Sequence, residues 1–380
     1  MKVLILAMEK RSALAATRSL GRKGIEVIGC SEKKFNEGFF SKYCKKKYIY
    51  RSPSSDMAGY IEDIFNIISK EKPDMLLPVN EETLISLLKD RKRLEDVVIV
   101  PLPNNDVLDR IFDKVSATKL AGELGIPCPK TIEDFNKVEF PLIARPRFSR
   151  QIEGDKIVSK ELSYIFSEKE LKETDRGQYF IQEYIPGQGY GFYALFNNGN
   201  PITYFMMKRI HEVPFYGGPS SLRESIREEK LKEYGLKILK ALNWHGLAMV
   251  EFRRDERDGS FKFIEINGRI WGSMALSICS GVDFPYLLCQ IIEGKNISPA
   301  TDYKMGIEGR WLSGEMSYLS SVFFGKKIGK RPSKIKSLLE FFSLFGKKVC
   351  YDYFAKDDIK PGLINIICLF SKIFKKLIIR

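Results

Sequence analysis

The fold of this chain is decided by the stretch Phe261-Lys262-Phe263-Ile264-Glu265-Ile266-Asn267-Gly268-Arg269. Successive side chains of a strand point to opposite faces, so Glu265, Asn267 and Arg269 are expected to project the same way. A carboxylate and an amide oxygen two residues apart suit a hard cation, and a guanidinium beyond them suits a phosphate oxygen. The stretch therefore predicts half of a magnesium–nucleotide site.

A second strand, predicted over residues 247–252, supplies the other half through Glu251. The polar segment 253–260 joins the two strands, and its Asp258-Gly259 pair predicts a hairpin turn. Register then matters, because a slip of one residue sends a side chain to the opposite face of the sheet.

The length of the hairpin loop sets this register. A three-residue loop, 257–259 with Gly259 left-handed, pairs Glu256 with Ser260 and places Glu251 opposite Glu265. Opposed residues have Cβ atoms about 4.5–5.5 Å apart, a suitable gap for two acids that share a cation. A two-residue turn would separate the acids, and a solvated hairpin edge is the plain alternative to a site. We expect the three-residue loop.

The composition is typical of a globular enzyme. The 380 residues are 44% hydrophobic and 29% charged, which suffices for two or three domains with substantial cores. The apolar run 2–7 is too short for a signal peptide and predicts a buried strand. Seven scattered cysteines and two histidines make a Cys/His zinc site improbable, so we expect a reducing, cytoplasmic location and a buried apolar role for Cys279 rather than a reactive thiol.

The net charge of +14 raises the question of nucleic-acid binding. The basic residues are spread along the chain, and the short cluster 45–47 is typical of a solvated face. No recognition-helix or zinc-finger pattern accompanies it. We therefore expect no nucleic-acid partner, and a basic balance equally suits a protein that binds ATP and carboxylates.

The first hundred residues alternate strands and helices. Strands are predicted over 3–7, 25–30, 74–79 and 97–100, and helices over 12–23, 56–70 and 81–94. This alternation predicts an α/β domain with a doubly wound parallel sheet over residues 1–104. Asn80 and Glu81, after the third strand, are weak substrate-site candidates for which helix capping is the plainer interpretation.

At this point the motifs resemble a known family. Glu251 with the run 265–269, the longer run 242–252, and the run 269–273 are similar to the metal-binding end of the ATP-grasp superfamily. The runs 242–252 and 269–273 are similar to its carbamoyl-phosphate-synthase-like branch of uncharacterised carboxylate–amine ligases. The resemblance, over about residues 1–315, implies a two-subdomain α+β ATP-grasp domain with antiparallel sheets at 105–312, hinged near 181–187.

The resemblance also implies a set of site residues. Glu251, Glu265 and Asn267 would bind the metal; Lys114, Arg145, Gln182, Glu183, Tyr184 and Ile185 would bind the nucleotide; Arg223 and Arg269 would be catalytic. Arg145 stands where relatives usually have a lysine, and the two side chains are not interchangeable. The loop 148–155 occupies the place of a phosphate-covering flap, although Gly154 is its one glycine.

The implied reaction is an ADP-forming ligation that uses ATP and Mg²⁺ or Mn²⁺. A substrate carboxylate would be activated as an acyl phosphate, and a small-molecule amine would then displace phosphate. The alternative is a Mg-ATP-binding scaffold of weak or no turnover, suggested by Arg145 and the glycine-poor flap.

The C-terminal extension, 313–380, differs in character. Segments 333–348 and 363–380 are predicted to be basic amphipathic helices. The last is too charged to span a bilayer, but it could lie on the anionic inner membrane face. Docking onto the enzyme itself, or onto a second subunit in a homodimer, is the plainer interpretation.

Overall fold

The N-terminal part of the chain is built around a parallel sheet. The computed structural model describes residues 1–295, 297, 302–326, 328–343 and 349–378, excluding the side chains of 371–378. The elements of this part are β1 (Lys2–Ile5), α1 (Arg11–Arg22), β2 (Glu26–Ser31), β3 (Cys44–Ile49), α2 (Met57–Glu71), β4 (Met75–Leu77), α3 (Glu81–Leu88) and α4 (Arg91–Glu95). All pairings are parallel, in the order β3-β2-β1-β4.

Two details of this sheet differ from the prediction. The lysine cluster 45–47 lies on β3, an edge strand that was predicted as a solvated face. Charged side chains on an edge strand keep it from pairing with other chains, which hides its strand character from a hydrophobic pattern. The strand predicted over 97–100 is reduced to an isolated bridge between Met75 and Ile99.

Beyond residue 104 a small antiparallel sheet and a hairpin follow. The elements are α5 (Asn105–Phe112), α6 (Lys114–Glu123), β5 (Leu142–Pro146), β6 (Arg150–Glu153), β7 (Lys156–Ser159), β8 (Ser163–Ile165), α7 (Glu168–Glu173) and β9 (Tyr179–Glu183). The small sheet has the order β8-β5-β9, and β6 pairs with β7 as a separate hairpin. The small sheet packs through its own apolar cluster, which includes Leu142, Ile165 and Ile181.

A larger sheet, called the large sheet below, forms the centre of the molecule. Its strands run in the order β14-β13-β10-β11-β12-β15-β16, and all are antiparallel except the β15–β16 pair. The elements of this region are β10 (Gly187–Asn197), β11 (Asn200–Glu212), β12 (Ser220–Ser225), α8 (Glu229–Ala241), β13 (Gly246–Asp255), β14 (Phe261–Asn267), α9 (Met274–Ser280), α10 (Phe284–Ile292), β15 (Glu308–Arg310), α11 (Leu312–Phe324), α12 (Lys334–Phe342), β16 (Val349–Tyr351) and α13 (Lys360–Ile378). The predicted combination of a parallel sheet with antiparallel sheets is thus confirmed.

The two faces of the large sheet are buried by different layers. On one face, residues of β10, β11 and β13 join a core with α1, α9 and α10, so the parallel sheet docks here. On the other face the core includes residues of α5, α6 and α8. Because both faces are covered, the strands carry near-continuous apolar runs such as Phe192–Phe196.

The β13–β14 hairpin has the predicted register at the two acids, but its loop differs from the predicted one. Glu251 pairs with Glu265, and Gly259 is left-handed with φ 72°, as expected. The predicted pairing of Glu256 with Ser260 is wrong, because the amide of Asp255 donates to the Ser260 carbonyl at 2.8 Å and the loop has four residues. A one-residue irregularity just beyond Glu251 compensates for the longer loop.

The C-terminal segment is tied to the rest of the chain by a strand and a disulfide. The extension was predicted as helical, yet it also contributes β16 to the large sheet. Cys350 of β16 forms a disulfide with Cys279 of α9, so the prediction that Cys279 is merely a buried apolar residue is wrong. The predicted helix 333–348 ends at Phe342, and 344–348 lie outside the described residues.

Among the described helices, no single one is long and apolar enough to cross a membrane. Helices α9 and α10 reach the necessary length and apolar composition only when they are taken together, and they are bent by 85° relative to each other. Both helices contribute to the buried core between the parallel sheet and the large sheet.

Candidate active site

The small sheet and the large sheet enclose a cleft of about 490 Å³. Apolar side chains line part of it, including Ile143 from β5, Ile185 after β9, and Ile264 from β14. Charged side chains, including Arg145, Glu251 and Glu265, also line it. Of the predicted site residues, Arg145, Gln182, Glu183, Tyr184, Ile185, Glu251, Glu265, Asn267 and Arg269 line this cleft. A smaller polar cavity of about 180 Å³ adjoins it, lined by Lys114, Glu265, Asn267 and Arg269 among others.

The paired acids lie side by side on neighbouring strands, each bonded to a cation. Glu251 Oε2 lies 2.5 Å from Arg209 Nη2, and Glu265 Oε2 lies 3.5 Å from Arg145 Nη2. Asn267 extends the row along β14, because its amide donates to Glu265 at 3.0 Å. Arg269 in turn donates to the Asn267 amide oxygen at 3.2 Å, so the predicted polar row is continuous.

Burial and neighbouring charge move the two acids in opposite directions. Burial raises the pKa of Glu251; Arg209 opposes the rise, and the nearby charge of Glu265 adds to it. Burial also acts on Glu265, but Lys114 and Arg145 outweigh it and lower the pKa of that carboxyl. Two carboxyl groups with separated pKa values are typical of a shared polar site.

The cations that were predicted to bind the nucleotide come from different elements. Lys114 begins α6; its ammonium lies 4.0 Å from Glu265 and donates to the hydroxyl of Ser149. Burial lowers the pKa of Lys114 and that of Arg145. Arg145 does more than hold charge, because its Nη1 donates to the Ile264 carbonyl at 3.0 Å and to Gln182 at 3.2 Å. Arg145 therefore joins the small sheet to the large sheet.

Residues 182–185, predicted to bind the nucleotide within the hinge near 181–187, line the cleft. The Glu183 carboxylate accepts from the Lys130 amide at 2.8 Å and from Arg257 at 2.8 Å. The Ile185 carbonyl, a predicted adenine contact, accepts from Arg253 Nε at 2.8 Å. A ligand at that carbonyl would thus share it with Arg253 or use its second lone pair.

Arg223 does not line either of these cavities, contrary to the predicted triphosphate contact. Its side chain is fully buried on β12, where it bonds to Asp352 just after β16. The C-terminal segment therefore covers Arg223, which the sequence analysis had expected to be accessible to the triphosphate. Arg209, paired with Arg223 across β11 and β12, lines the cleft instead.

Arg209 is the principal residue that the prediction missed. Although burial opposes its charge, Glu251 and Glu212 raise the pKa of Arg209 well above its ordinary value. Its Nε is buried without a hydrogen-bond partner among the described residues. A signal was present, because Arg209 follows Lys208 at the end of a long apolar strand. A second missed residue, Arg11 after β1, brings the N-terminal part to the cleft.

The weaker predictions divide. Asn80 caps α3 by accepting from the Thr83 amide at 3.1 Å, as the plainer interpretation expected. Glu81 lines the smaller cavity beside Lys114.

The predicted flap is the β6–β7 hairpin, with Gly154 left-handed at its turn. It contacts the N-terminal part through two links. Arg150 Nε lies 3.0 Å from Glu82, and Asp155 accepts from the Ala58 amide at 3.0 Å. The hairpin is therefore held over the smaller cavity, which Ser149 and Arg150 help to line.

The metal set was tested by its donor chemistry. Among the described residues, no group of three or more His, Cys, Asp or Glu side chains converges on a metal position. The predicted set is two carboxylates and one amide oxygen, which are the hard donors that Mg²⁺ prefers. Mg²⁺ commonly takes one or two protein carboxylates and completes its shell with substrate phosphates and water, so the residues present fit that ion.

Sequence comparison supports the resemblance. Residues 176–315 match the family described as "ATP-grasp in the biosynthetic pathway with Ter operon". The carbamoyl phosphate synthase large chain of Clostridium beijerinckii is 25% identical over 256 residues, 62% of this chain and 23% of the relative. That of Caldanaerobacter subterraneus subsp. tengcongensis is 26% identical over 269 residues, 65% of this chain and 24% of the relative. The matches span about a quarter of the length of these relatives.

Comparison of folds agrees. Biotin carboxylase from Campylobacter jejuni, in its β-γ-ATP complex, superposes with a TM-score of 0.62 at 17% identity, covering 80% of this chain and 74% of that one. L-amino acid ligase from Bacillus licheniformis gives 0.59 at 16% identity, covering 78% and 75%. At these identities the likeness concerns the fold alone. This chain is therefore similar to an ATP-grasp family over residues 176–315, to carbamoyl phosphate synthase large chains in sequence, and to biotin carboxylase and L-amino acid ligase in fold.

Proposed function

We propose that this protein is an ATP-dependent, ADP-forming ligase that activates a small-molecule carboxylate as an acyl phosphate and couples it to an amine. The observation that carries the proposal is the pairing of Glu251 with Glu265 in a cleft that both charged and apolar side chains line. An apolar slot joined to an acid-and-cation cluster matches a nucleotide, which has an apolar base and an anionic tail.

The apolar part of the cleft lining would hold the adenine. Ile143 and Ile264 belong to it and come from opposite sheets, and 182–185, which also line the cleft, provide backbone donors and acceptors. Arg145 fixes the spacing of these sheets through the Ile264 carbonyl. The base would therefore enter a slot whose width is already set, which reduces the ordering cost of binding.

The charged side chains of the cleft would hold the triphosphate and the metal. Glu251, Glu265 and Asn267 would hold Mg²⁺, which when bound neutralises phosphate charge and orients the transferred group. Lys114 and Arg145 already face Glu265, so they lie where phosphate oxygens would arrive. A phosphate group would compete with the carboxylates for these cations.

The reaction itself needs positioning and charge stabilisation more than a protein nucleophile. A substrate carboxylate oxygen attacks the γ-phosphorus, the bond from that phosphorus to the β,γ-bridging oxygen breaks, and ADP leaves with the electron pair. Arg209 and Arg269 would stabilise the equatorial oxygens, because both guanidinium groups line the cleft. The amine nitrogen then attacks the acyl carbon, inorganic phosphate leaves, and the nitrogen loses a proton.

The names of two similar proteins support this reaction class. Carbamoyl phosphate synthase and L-amino acid ligase are the names of one sequence relative and one structural neighbour. A catalytically silent scaffold is the second candidate, and Arg145 favours it specifically. Its guanidinium already contacts Ile264, Gln182 and Glu265. These contacts leave fewer of its N–H groups for a phosphate than a lysine without such contacts would have.

The test is ADP and phosphate release measured on a panel of amino acids and other small carboxylates, each with and without amines. Glu265→Gln serves as the blank, and Glu256→Gln on the same hairpin is the matched control, because that side chain is exposed. A ligase releases ADP only when an acid and an amine are both present. Tight Mg-ATP binding without ADP release on the whole panel would instead establish the scaffold.

A further inference from the structure

The C-terminal helix α12 turns its apolar side outward. Ile335, Leu338, Leu339 and Phe342 are 75%, 41%, 67% and 64% exposed. They recur at three- and four-residue spacing and so form one stripe, called the α12 stripe below. Four large apolar side chains on one short helix are more than the scattered exposure that is ordinary on protein surfaces.

The opposite side of α12 explains this orientation. Ser337 is buried and bonds to the hydroxyl of Tyr318 at 3.2 Å. Glu340 reaches His211 Nε2 at 3.1 Å, while Glu315 of α11 bonds to the other ring nitrogen of that histidine. The helix is thus attached to the large sheet by its polar side, which leaves no apolar side chain of the stripe to pack inward.

Helix α13 repeats the arrangement. Its exposed stripe comprises Leu363, Ile366, Ile367 and Phe370, each 39% to 57% exposed. Asn365 lies on the inner side, where its amide donates to Glu37 at 2.8 Å. Both α12 and α13 contact α11, so this helix connects the elements that carry the two stripes.

The sequence of the C-terminal extension is strongly positive. Residues 313–380 contain 14 Lys and Arg against 5 Asp and Glu, so they carry nine of the fourteen net positive charges. All five acids are engaged with the rest of the chain: Glu315 and Glu340 with His211, Asp352 with Arg223, Asp357 with Arg22, and Asp358 with Arg18.

Several of the described lysines of this segment are on the outside. Lys330, Lys334, Lys356 and Lys360 are exposed, and no ion pair is found for them within the described ranges. Lysines flanking exposed apolar stripes are the pattern of a helix that lies in a membrane interface. A second copy of this surface would bring like charges together, which disfavours self-association.

We propose that the α12 and α13 stripes dock on an anionic lipid surface, with the apolar side chains entering the headgroup boundary and the lysines contacting acidic headgroups. This surface lies outside the nucleotide cleft, since none of its residues lines that cleft. The proposal is independent of the proposed ligase activity. It assigns a binding partner to the apolar stripes of α12 and α13, which face outward and do not line the cleft.

The test is co-sedimentation of the full chain with vesicles of phosphatidylcholine alone or with about one quarter phosphatidylserine. The wild-type protein is expected to partition at least about tenfold more strongly onto the anionic vesicles, and to lose that preference near 0.5 M salt, roughly. Leu339→Ser with Phe342→Ser is expected to weaken binding by about tenfold, because two anchoring side chains are removed.

Two further double variants test the contribution of charge and control for the loss of exposed apolar side chains elsewhere. Lys330→Glu with Lys334→Glu is expected to abolish the preference for anionic vesicles, since each basic residue near the surface contributes about fivefold. Val97→Ser with Ile99→Ser is the matched control, because these apolar side chains are 51% and 49% exposed elsewhere on the molecule. Each variant should retain the wild-type unfolding midpoint, because every substituted side chain is exposed.

Three outcomes would overturn the proposal. The wild-type protein could stay in the supernatant with anionic vesicles, or the serine variant of the α12 stripe could bind as well as the wild type. A concentration-dependent dimer that the same serine variant abolishes, without vesicle binding, would assign the surface to a second copy instead.

Discussion

Replacing Arg145 by lysine separates the charge of this residue from its geometry. The guanidinium spans three acceptors: the Ile264 carbonyl at 3.0 Å, Gln182 at 3.2 Å and Glu265 at 3.5 Å. A lysine ammonium is a single point that can keep the charge near Glu265 but cannot also bridge to the Ile264 carbonyl.

The magnitude follows from these contacts. A hydrogen bond to a charged group contributes about 1.5–3 kcal/mol, so loss of the bridge in Arg145→Lys should lower the free energy of unfolding by about 2 kcal/mol. Arg145→Met also removes the ion pair. Because Glu265 is 29% exposed and keeps Lys114 at 4.0 Å, we take the low end of the range for broken buried pairs and expect a total loss of about 3 kcal/mol.

The assay is urea unfolding beside calorimetric titration with Mg-ATP. Arg145→Lys should keep the affinity for Mg-ATP within about fivefold, and Arg145→Met should weaken it at least tenfold, roughly, since the cation is lost. Arg254→Lys, an exposed arginine on β13, is the control. An Arg145→Lys variant as stable as this control, or an Arg145→Met variant with wild-type affinity, would refute the bridging role.

Three other perturbations follow from the structure. Cys279→Ser opens a disulfide that closes a separation of 71 residues, so the free energy of unfolding should fall by about 4 kcal/mol at most; an unchanged urea midpoint would contradict this. Metal binding needs ionised Glu251, whose pKa is raised by burial and held down by Arg209. As pH falls through that raised pKa, Mg-ATP binding is lost, so Arg209→Met should move the acid limb of the binding profile to higher pH; a limb that stays in place argues against the pairing. Arg223→Met leaves Asp352 buried without this partner and should cost about 3–5 kcal/mol, and adding Asp352→Asn should recover part of the loss in a double-mutant cycle, whereas strict additivity would show that the pair is not coupled.

The site was predictable where local pattern alone sets geometry. The alternation along β14 placed Glu265, Asn267 and Arg269 on one face, and the opposition of Glu251 to Glu265 is confirmed. The loop was one residue longer than expected, yet a strand irregularity restored the register. The sequence does not reveal this compensation, because it does not show whether an extra residue belongs to the loop or to an irregularity within a strand.

The errors came from contacts between distant parts of the chain. Arg223 has the residue type and strand position of a phosphate contact, but Asp352, 129 residues later, covers it. The partner of Cys279 is likewise distant, and seven cysteines leave many pairings open. The outward apolar sides of α12 and α13 could not be oriented from periodicity, which shows that a helix has two unlike sides but not which of them faces the protein.

The most direct measurement for the central claim is calorimetric titration of ATP in Mg²⁺ and in chelator, for the wild type and for Glu251→Gln, Glu265→Gln and Glu256→Gln. We predict that the wild type and the exposed Glu256→Gln control lose at least tenfold in affinity, roughly, when the metal is removed. The Glu251→Gln and Glu265→Gln variants should bind weakly in both conditions. Equal affinity of the wild type with and without Mg²⁺, or full metal dependence in both of those variants, would contradict a divalent ion held between β13 and β14.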